Sequence, residues 1–350
     1  MSEIHATNAK IAIYGAGAMG TVLGALLTKG GLENVHLITR NAQHVNALNA
    51  KGATIVCQAD KREINVKVQA LLPTQMQGEY DVIFLMTKQR HNQEILKNLL
   101  PYLKQDGVLC TTQNGLPEPD VANVIGNHRT YGGVMTFGAG FMEDGKVELT
   151  SKISAMRMQI GGHQNDGAKL PLLQEVLSYA QKETNENFLS ITENLLGTRW
   201  SKLTLNAAFS GLSVMTGLSF GKIAARLKTR KLALAVMQEC VAVAKAQGVT
   251  LDKKQGYDME KLLGEKTPIN AFIAYMVLPF AIRKHKKLYS GMLKDVESGR
   301  KCEIDFINGI ICKEGAKVGV ETPVCAQIIE IVHGIENGLY ETDYKNVDFF

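Results

Sequence analysis

Ile11-Ala12-Ile13-Tyr14-Gly15-Ala16-Gly17-Ala18-Met19-Gly20 joins a short apolar run to three glycines spaced G-x-G-x-x-G, and a helical pattern over 21–28 follows at once. The run reads as a buried strand. Strand, glycine turn and helix in that order suit a dinucleotide pyrophosphate. The first glycine permits the tight turn and the second lets the backbone approach the phosphates. The third lets helix and strand pack closely, and the helix N-terminus offers N–H groups to the anion. The sequence therefore predicts a nucleotide cofactor on Gly15, Ala16, Gly17, Ala18, Met19 and Gly20, rather than a purely structural turn.

Working outward, the next strand, over 34–40, ends in Thr39-Arg40 and carries no carboxylate there. An Asp or Glu at that point would bind the ribose 2′-hydroxyl and repel a 2′-phosphate, whereas arginine suits the phosphate. Arg40 thus favours NADP(H) over NAD, the alternative being a solvated arginine at a strand end. Asn41 is placed to N-cap a helix over 41–51, and 53–72 alternates as small strands or a hairpin inserted in the unit. The apolar run 80–86 reads as a central parallel strand ending at Thr87-Lys88. Open α/β sheets bind ligands at the carboxyl ends of such strands, which puts Lys88 at cofactor or substrate. A helix over 92–103 and a strand over 107–112 lead to Gln113-Asn114-Gly115, either a crevice segment or a plain Asn-Gly turn.

Further strands over 131–136, 146–150 and 156–161 are separated by Gly138-Ala139-Gly140 and by a turn at Glu143-Asp144-Gly145. Together these elements predict an α/β domain with a doubly wound, mainly parallel sheet. From Glu193 on, helical patterns replace strand signals, over 195–216, 220–246, 258–262, 270–286, 305–318 and 325–337. The expected division is residues 1–190 for the nucleotide domain and 191–350 for an all-α domain.

Bulk composition agrees. The chain has 350 residues, 45% apolar and 21% charged, which is globular and long enough for two domains of ~150–200 residues. A net charge of +5, with no long basic run interleaved with aromatics, argues against a nucleic-acid partner. The six cysteines form neither a C-x-x-C pair nor a Cys/His cluster with zinc spacing, so they read as reduced core residues of a cytoplasmic protein with no metal. Residues 1–10 are polar and do not read as a signal peptide. The apolar run 269–282 contains Pro279 and falls short of the ~20 residues a membrane span needs, so a buried helix is expected there. The basic run 283–287 reads as a solvated helix end and the tail 341–350 as a surface segment.

Two stretches of the helical half carry chemistry. Lys202 and Asn206 are one turn apart, so they share a helix face. Their surroundings are apolar or small, and burying a lysine and an amide unpaired is costly. Hydride reduction of a ketone gives such a pair a role: an ammonium stabilises charge growing on the carbonyl oxygen and then delivers the proton, while the amide holds that oxygen or a neighbouring carboxylate. A lysine reaching out from a helix edge is the alternative. The second stretch, 289–305, is polar; it either binds a carboxylate at Ser290 and sets Glu303 against Lys202, or forms a solvated loop and helix cap.

These residues together resemble the ketopantoate reductase family (2-dehydropantoate 2-reductase) over nearly the whole chain. The resemblance rests on the glycine loop, Arg40, Lys88, Asn114-Gly115 and the block Trp200-x-Lys202-Leu203-x-x-Asn206. Most specific is Ser290-x-Met292-Leu293-x-Asp295-Val296, continuing through Gly299-Arg300-x-x-Glu303-Ile304-Asp305. It implies an N-terminal Rossmann domain, a helical C-terminal domain and an active site in the cleft between them. It further implies that residues 15–20 and Arg40 bind NADP(H), that Lys88, Asn114 and Ala139 line the cofactor crevice, and that Lys202 is the proton donor. Asn206 then contacts substrate, with Ser210 and Ser290 on the substrate side, and Glu303 lies near the nicotinamide ribose and helps fix the site. The implied reaction is NADPH-dependent reduction of 2-dehydropantoate to (R)-pantoate, on the route to pantothenate and coenzyme A.

Three positions depart from the family pattern, all on the substrate side. Ser210 and Phe220 stand where asparagines often occur, and Gly291 replaces a serine. The chain is also longer around 251–266 and at its C-terminus. Two alternatives follow: a sister reductase acting on a bulkier 2-oxo acid (a D-2-hydroxyacid dehydrogenase), or a non-catalytic NADP sensor. The expected partner is a small 2-oxo acid, with no nucleic acid or membrane, and the composition is compatible with a homodimer.

Overall fold

The computed structural model describes residues 5–252, 259–264 and 268–350. The chain divides into two compact units, Met1–Gln113 with Pro117–Leu195, and Asn114–Leu116 with Leu196–Phe350.

Among the described residues the first unit contains twelve strands: β1 (Ile11–Tyr14), β2 (Val35–Ile38), β3 (Ala53–Cys57), β4 (Arg62–Val66), β5 (Gln69–Leu71), β6 (Tyr80–Leu85), β7 (Leu103–Thr111), β8 (Thr130–Met135), β9 (Ala139–Glu143), β10 (Lys146–Leu149), β11 (Met158–Gly162) and β12 (Leu189–Ile191). Its helices are α1 (Ala18–Lys29), α2 (Ala42–Lys51), α3 (Asn92–Leu99), α4 (Glu118–Ile125) and α5 (Leu170–Lys182). Eight strands form one sheet in the order β12-β11-β8-β7-β6-β1-β2-β5. All its pairings are parallel except β11 with β8. β1 and β6 are buried along their whole length, as strands covered on both faces must be. The one charge inside them, Asp81, accepts from the Lys10 amide at 2.8 Å and from Lys104 Nζ at 2.6 Å. From β1 the chain steps outward to β2 in one direction and, through β6, β7 and β8, in the other. That reversal is the switch point at which such sheets bind ligands, outside the carboxyl ends of the strands.

Three expectations change here. The glycine stretch at 138–140 was expected to separate strands, but Ala139 opens β9, which forms a hairpin with β10 closed at Gly145. β9 and β10 join the β3–β4 hairpin in a separate sheet, β4-β3-β10-β9, so the doubly wound sheet does not take in every strand. The helix expected over 92–103 stops at Leu99, because Pro101 sits in a 3-10 turn (Leu100–Tyr102) and β7 starts at Leu103.

The second unit is helical: α6 (Leu195–Thr216), α7 (Phe220–Ala225), α8 (Leu227–Ala246), α9 (Met259–Leu263), α10 (Pro268–Ala281), α11 (Gly291–Glu297), α12 (Ile304–Lys317) and α13 (Pro323–Glu336). The expected helix start at Asp258, and half of the extra length around 251–266, lie outside the described residues. The helix expected over 220–246 is two helices broken at Arg226, whose backbone is extended. Side chains past the break capture the carbonyls it orphans. Thr229 Oγ1 donates to Ile223 O at 2.8 Å, and Arg230 donates to Ala224 O and Ala225 O at 2.5 and 3.0 Å. The apolar run at 269–282 was expected to be buried, but α10 buries Ala274, Leu278 and Ile282 and leaves its other face exposed. The polar stretch after Tyr289 is not simply a loop, since α11 forms within it. All six cysteines are free thiols, five of them buried, and no described helix is long and apolar enough to cross a membrane.

Candidate active site

In the first unit the glycine loop shows three separate constraints. Gly15 has φ +105°, and a Cβ there would lie 2.5 Å from Thr87 N at the end of β6. A Cβ on Gly20 would lie 2.5 Å from Gly15 O, so the helix can sit this close to the turn only without one. A Cβ on Gly17 would meet nothing within 4 Å. Gly17 is exposed and caps α1, whose first turn holds no acidic residue. The loop therefore presents open backbone and the first N–H groups of a helix, which fits a diphosphate. Because Gly17 is the N-cap, α1 begins at Ala18, three residues before the expected start, and Gly20 lies in its first turn.

Arg40 follows β2 and is exposed. Burial raises the pKa of Tyr14, at the end of β1, while the Arg40 charge opposes that rise. Asn41 caps α2 as expected, accepting from Gln43 N at 3.0 Å and His44 N at 3.1 Å, and its amide donates to Asp144 Oδ1 at 3.0 Å. His44, 1% exposed, ties this region together. Gly145 N donates to its Nδ1 at 2.9 Å, which leaves the proton on Nε2, 3.2 Å from Thr21 Oγ1 on α1. Asp144 lies 3.8 Å from Nδ1 and would favour a charged ring. Burial outweighs it and lowers the His44 pKa, and an Nδ1 already accepting an N–H has no room for a second proton.

Lys88 is exposed in the turn after β6. The turn is held by Gln113, a buried residue at the end of β7. Its Nε2 donates to Thr87 O at 2.8 Å and Asn92 Oδ1 at 2.7 Å, and its Oε1 accepts from Thr111 Oγ1 at 3.0 Å and Asn92 Nδ2 at 3.1 Å. Sequence reasoning passed over this organising role, because an amide before Asn-Gly reads as part of a turn. Asn114 itself groups with the second unit, and Gly115 after it has φ +80°. Ala139 opens β9 opposite Leu149.

In the second unit, Lys202, Asn206 and Ser210 follow one another at helical intervals on α6. Lys202 and Asn206 are half-buried and Ser210 is 3% exposed. Ser210 Oγ donates to Asn206 Oδ1 at 2.6 Å. That bond takes one acceptor site of the amide oxygen and orients the amide, leaving the Nδ2 donors on the same helix face as Lys202. Glu303 is the N-cap residue of α12. Its helix is fixed to α6 by Asn308, fully buried, whose Nδ2 donates to Ala207 O at 3.2 Å. Asn308 was missed because a single asparagine in an apolar helix pattern looks like a surface residue.

Ser290 is buried and caps α11, accepting from Met292 N at 3.1 Å. Its own N–H donates to Ser213 Oγ on α6 at 3.3 Å, and its hydroxyl proton remains a donor. Where the family pattern departs, Phe220 packs its ring against Phe209 at 5.3 Å, and a Cβ on Gly291 would meet nothing within 4 Å.

Comparisons with known proteins agree over both units. Residues 11–163 match the profile described as "Ketopantoate reductase PanE/ApbA", and residues 194–336 match "Ketopantoate reductase PanE/ApbA C terminal". A 2-dehydropantoate 2-reductase of Streptococcus pyogenes is 29% identical, over 93% of this chain and 97% of the relative. A structure of D-mandelate dehydrogenase with NADH and anilino(oxo)acetate superposes with a TM-score of 0.78 at 25% identity, covering 94% of this chain and 99% of that one. A ketopantoate reductase of Ralstonia eutropha JMP134 gives 0.76 at 25% identity, covering 94% and 98%.

Proposed function

The chain belongs to the ketopantoate reductase family of pyridine-nucleotide oxidoreductases, and from that premise we propose that it reduces 2-dehydropantoate to (R)-pantoate with NADPH. The observation that carries this reading is the α6 face on which Lys202 stands beside an Asn206 oriented by Ser210. The relatives named 2-dehydropantoate 2-reductase support the substrate, and Arg40 after β2 supports NADP.

In this reading residues 15–20, Arg40, Lys88, Asn114, Ala139 and Glu303 hold the dinucleotide, which supplies a hydride to the substrate carbonyl carbon when bound. Residues 1–190 form the cofactor-binding domain, and 191–350 supply the substrate groups together with Glu303. Lys202 donates a hydrogen bond to the carbonyl oxygen as negative charge builds there and then gives it the proton. Asn206 Nδ2 donates to the same oxygen or to the carboxylate, and the Ser290 hydroxyl donates to the carboxylate. The enzyme works in the cytoplasm on a small 2-oxo acid.

A second reading keeps the chemistry and changes the substrate to a bulkier, less polar 2-oxo acid. The Phe220–Phe209 pair, the open space at Gly291 and the likeness to D-mandelate dehydrogenase favour it. Steady-state NADPH oxidation with 2-dehydropantoate and a panel of aliphatic and aryl 2-oxo acids separates the two. The first reading expects 2-dehydropantoate to have the highest kcat/KM, and a rate far below the best aryl acid sinks it. Lys202→Ala should keep NADPH binding and lose roughly 10²–10⁴-fold in kcat. If the wild-type chain binds NADPH but none of the 2-oxo acids leads to its oxidation, the sensor alternative replaces both.

A further inference from the structure

A short turn joins α12 to α13, and Gly315 lets the chain double back there. A Cβ on Gly315 would lie 2.7 Å from Val320 O, and Val320 N donates to Gly315 O at 2.9 Å. The first turn of α13 is pinned from α8, where the Glu239 carboxylate accepts from Val324 N at 2.8 Å and Cys325 N at 2.9 Å. These constraints bring Cys325 against one face of α12. Its Sγ lies 4.0 Å from Asn308 Nδ2 and meets the thiol of Cys312, one helical turn further along. Cys312 Sγ lies 3.9 Å from Thr322 O, the carbonyl of the residue that N-caps α13. Cys325 is fully buried, whereas Cys312 is half-buried.

We propose that Cys312 and Cys325 are a peroxide-reactive dithiol: Cys312 is the sulfur that attacks a peroxide, and Cys325 converts the product into a disulfide that staples α12 to α13. Sulfurs that already meet are placed for such a bond. The attacking sulfur must also be reachable and ionised. Of the six cysteines, Cys312 is the one that is not buried. The S–H of Cys325 bonds to the Cys312 sulfur and lowers its pKa to about 7, against burial and the Glu239 carboxylate. The same pairing, together with burial, pushes the Cys325 thiol up, so Cys325 keeps its proton until it reacts. Burial pushes Cys240 and Cys302 up to about 12, which leaves them as inert thiols. In the first step the Cys312 thiolate takes one oxygen of hydrogen peroxide and becomes a sulfenic acid, as the O–O bond breaks and hydroxide leaves. The Cys325 sulfur then attacks the Cys312 sulfur. The S–S bond forms, the S–O bond breaks, and the departing hydroxide carries off the Cys325 proton as water. The product closes residues 313–324 into a loop, which restricts the unfolded chain and so stabilises the helical unit.

The full chain, reduced and then treated with a few equivalents of hydrogen peroxide, is expected to lose two of its six titratable thiols. Tryptic digestion after alkylation should show the peptide 302–313 joined to the one carrying Cys325. Fragmentation should place the link on Cys312 and the alkyl group on Cys302, and dithiothreitol should reverse the link. Cys325→Ser should stop at a sulfenic acid on Cys312, which dimedone traps, while Cys312→Ser should leave Cys325 reduced. The urea midpoint read from the fluorescence of Trp200, which is buried in the same unit, should rise on oxidation of the wild type and in neither variant. A thermal melt confirms that each reduced variant is folded, and the wild-type peptide map stands as a test without either. Cys312 and Cys325 still reduced after free cysteine in the same mixture has been oxidised overturns the proposal. So does a disulfide formed by other cysteines, or an oxidised wild type whose Trp200 midpoint does not move.

Discussion

Lys202 and Asn206 gain their meaning from a third residue. The Ser210 hydroxyl is spent on Asn206 Oδ1, so Ser210 holds the Asn206 amide in one orientation. Ser210→Ala frees the amide to rotate and removes a hydrogen bond worth about 1 kcal/mol, so kcat/KM should fall about five- to tenfold. The NADPH Kd should not change, and Ser210→Thr should recover most of the loss. A shift in NADPH binding of the same size would show that Ser210 acts on the fold rather than on Asn206. Arg40 sets the second prediction at this scale. A charge-assisted contact to a 2′-phosphate contributes roughly 1–3 kcal/mol, so Arg40→Ala should weaken NADPH by that much and NADH far less. Equal weakening of both cofactors, read by fluorescence titration, would mean that Arg40 does not read the phosphate. The neighbouring Asp144, bonded to Asn41, makes this test pointed, because a carboxylate near that site disfavours a phosphate.

At the scale of elements, the three glycines divide between fold and ligand. Gly15→Ala and Gly20→Ala each force a Cβ to about 2.5 Å from backbone atoms, and Gly15 would also be held at φ +105°. Both should lower stability by about 1–3 kcal/mol in denaturant titrations, whether or not cofactor is present. Gly17→Ala meets no neighbour, so its stability loss should stay within about 1 kcal/mol of N-cap preference, while NADPH binding weakens sharply because the methyl stands where backbone must approach the phosphates. If Gly17→Ala binds NADPH normally, the loop does not hold the diphosphate. The same division explains what was legible in the sequence. β1, β6, α1 and the Asn41 cap could be read because a buried run, a glycine spacing and a cap residue are local signals. The break at Arg226 could not, since Thr229 and Arg230 pattern as ordinary helix and only their side-chain bonds to the α7 carbonyls end it. β9 could not, because the glycines at 138 and 140 argue for a turn and only pairing with β10 makes that stretch a strand. The exposed face of α10 was hidden for the opposite reason: hydropathy reports what a side chain prefers, and nothing local says whether anything covers it. At the site, residue types were readable, but Ser210 as an orienting group depends on which way its hydroxyl turns within α6, and Asn308 as a clamp depends on which helices meet.

Over the whole molecule, titration falls unevenly. His36, His44 and His163 have pKa values held below the ordinary imidazole range, each chiefly by burial. All three belong to the first unit. A histidine whose folded pKa lies below its unfolded value of about 6.5 binds its proton more readily when unfolded. Its contribution is therefore complete above about pH 6.5 and is lost as pH falls from there toward the folded pKa, with a slope of up to about 1.4 kcal/mol per pH unit. His44 is the most buried of the three and both its nitrogens are engaged, so it should follow this slope most closely. The two units have separate apolar cores, and the single tryptophan of the chain, Trp200, is buried in the core of the second. Its fluorescence thus reports the second unit, while far-UV circular dichroism reports both. On acidification from neutral pH to about 5.5, the dichroism midpoint in urea should move to lower denaturant before the Trp200 midpoint does, separating two transitions that lie closer at pH 7.5 or so. His44→Gln, which cannot take up a proton, should remove up to about 1.4 kcal/mol per pH unit of that early shift and leave the Trp200 transition where it was. Coincident midpoints at every pH would instead mean that the two cores unfold as one, with the histidine protons charged to the whole chain.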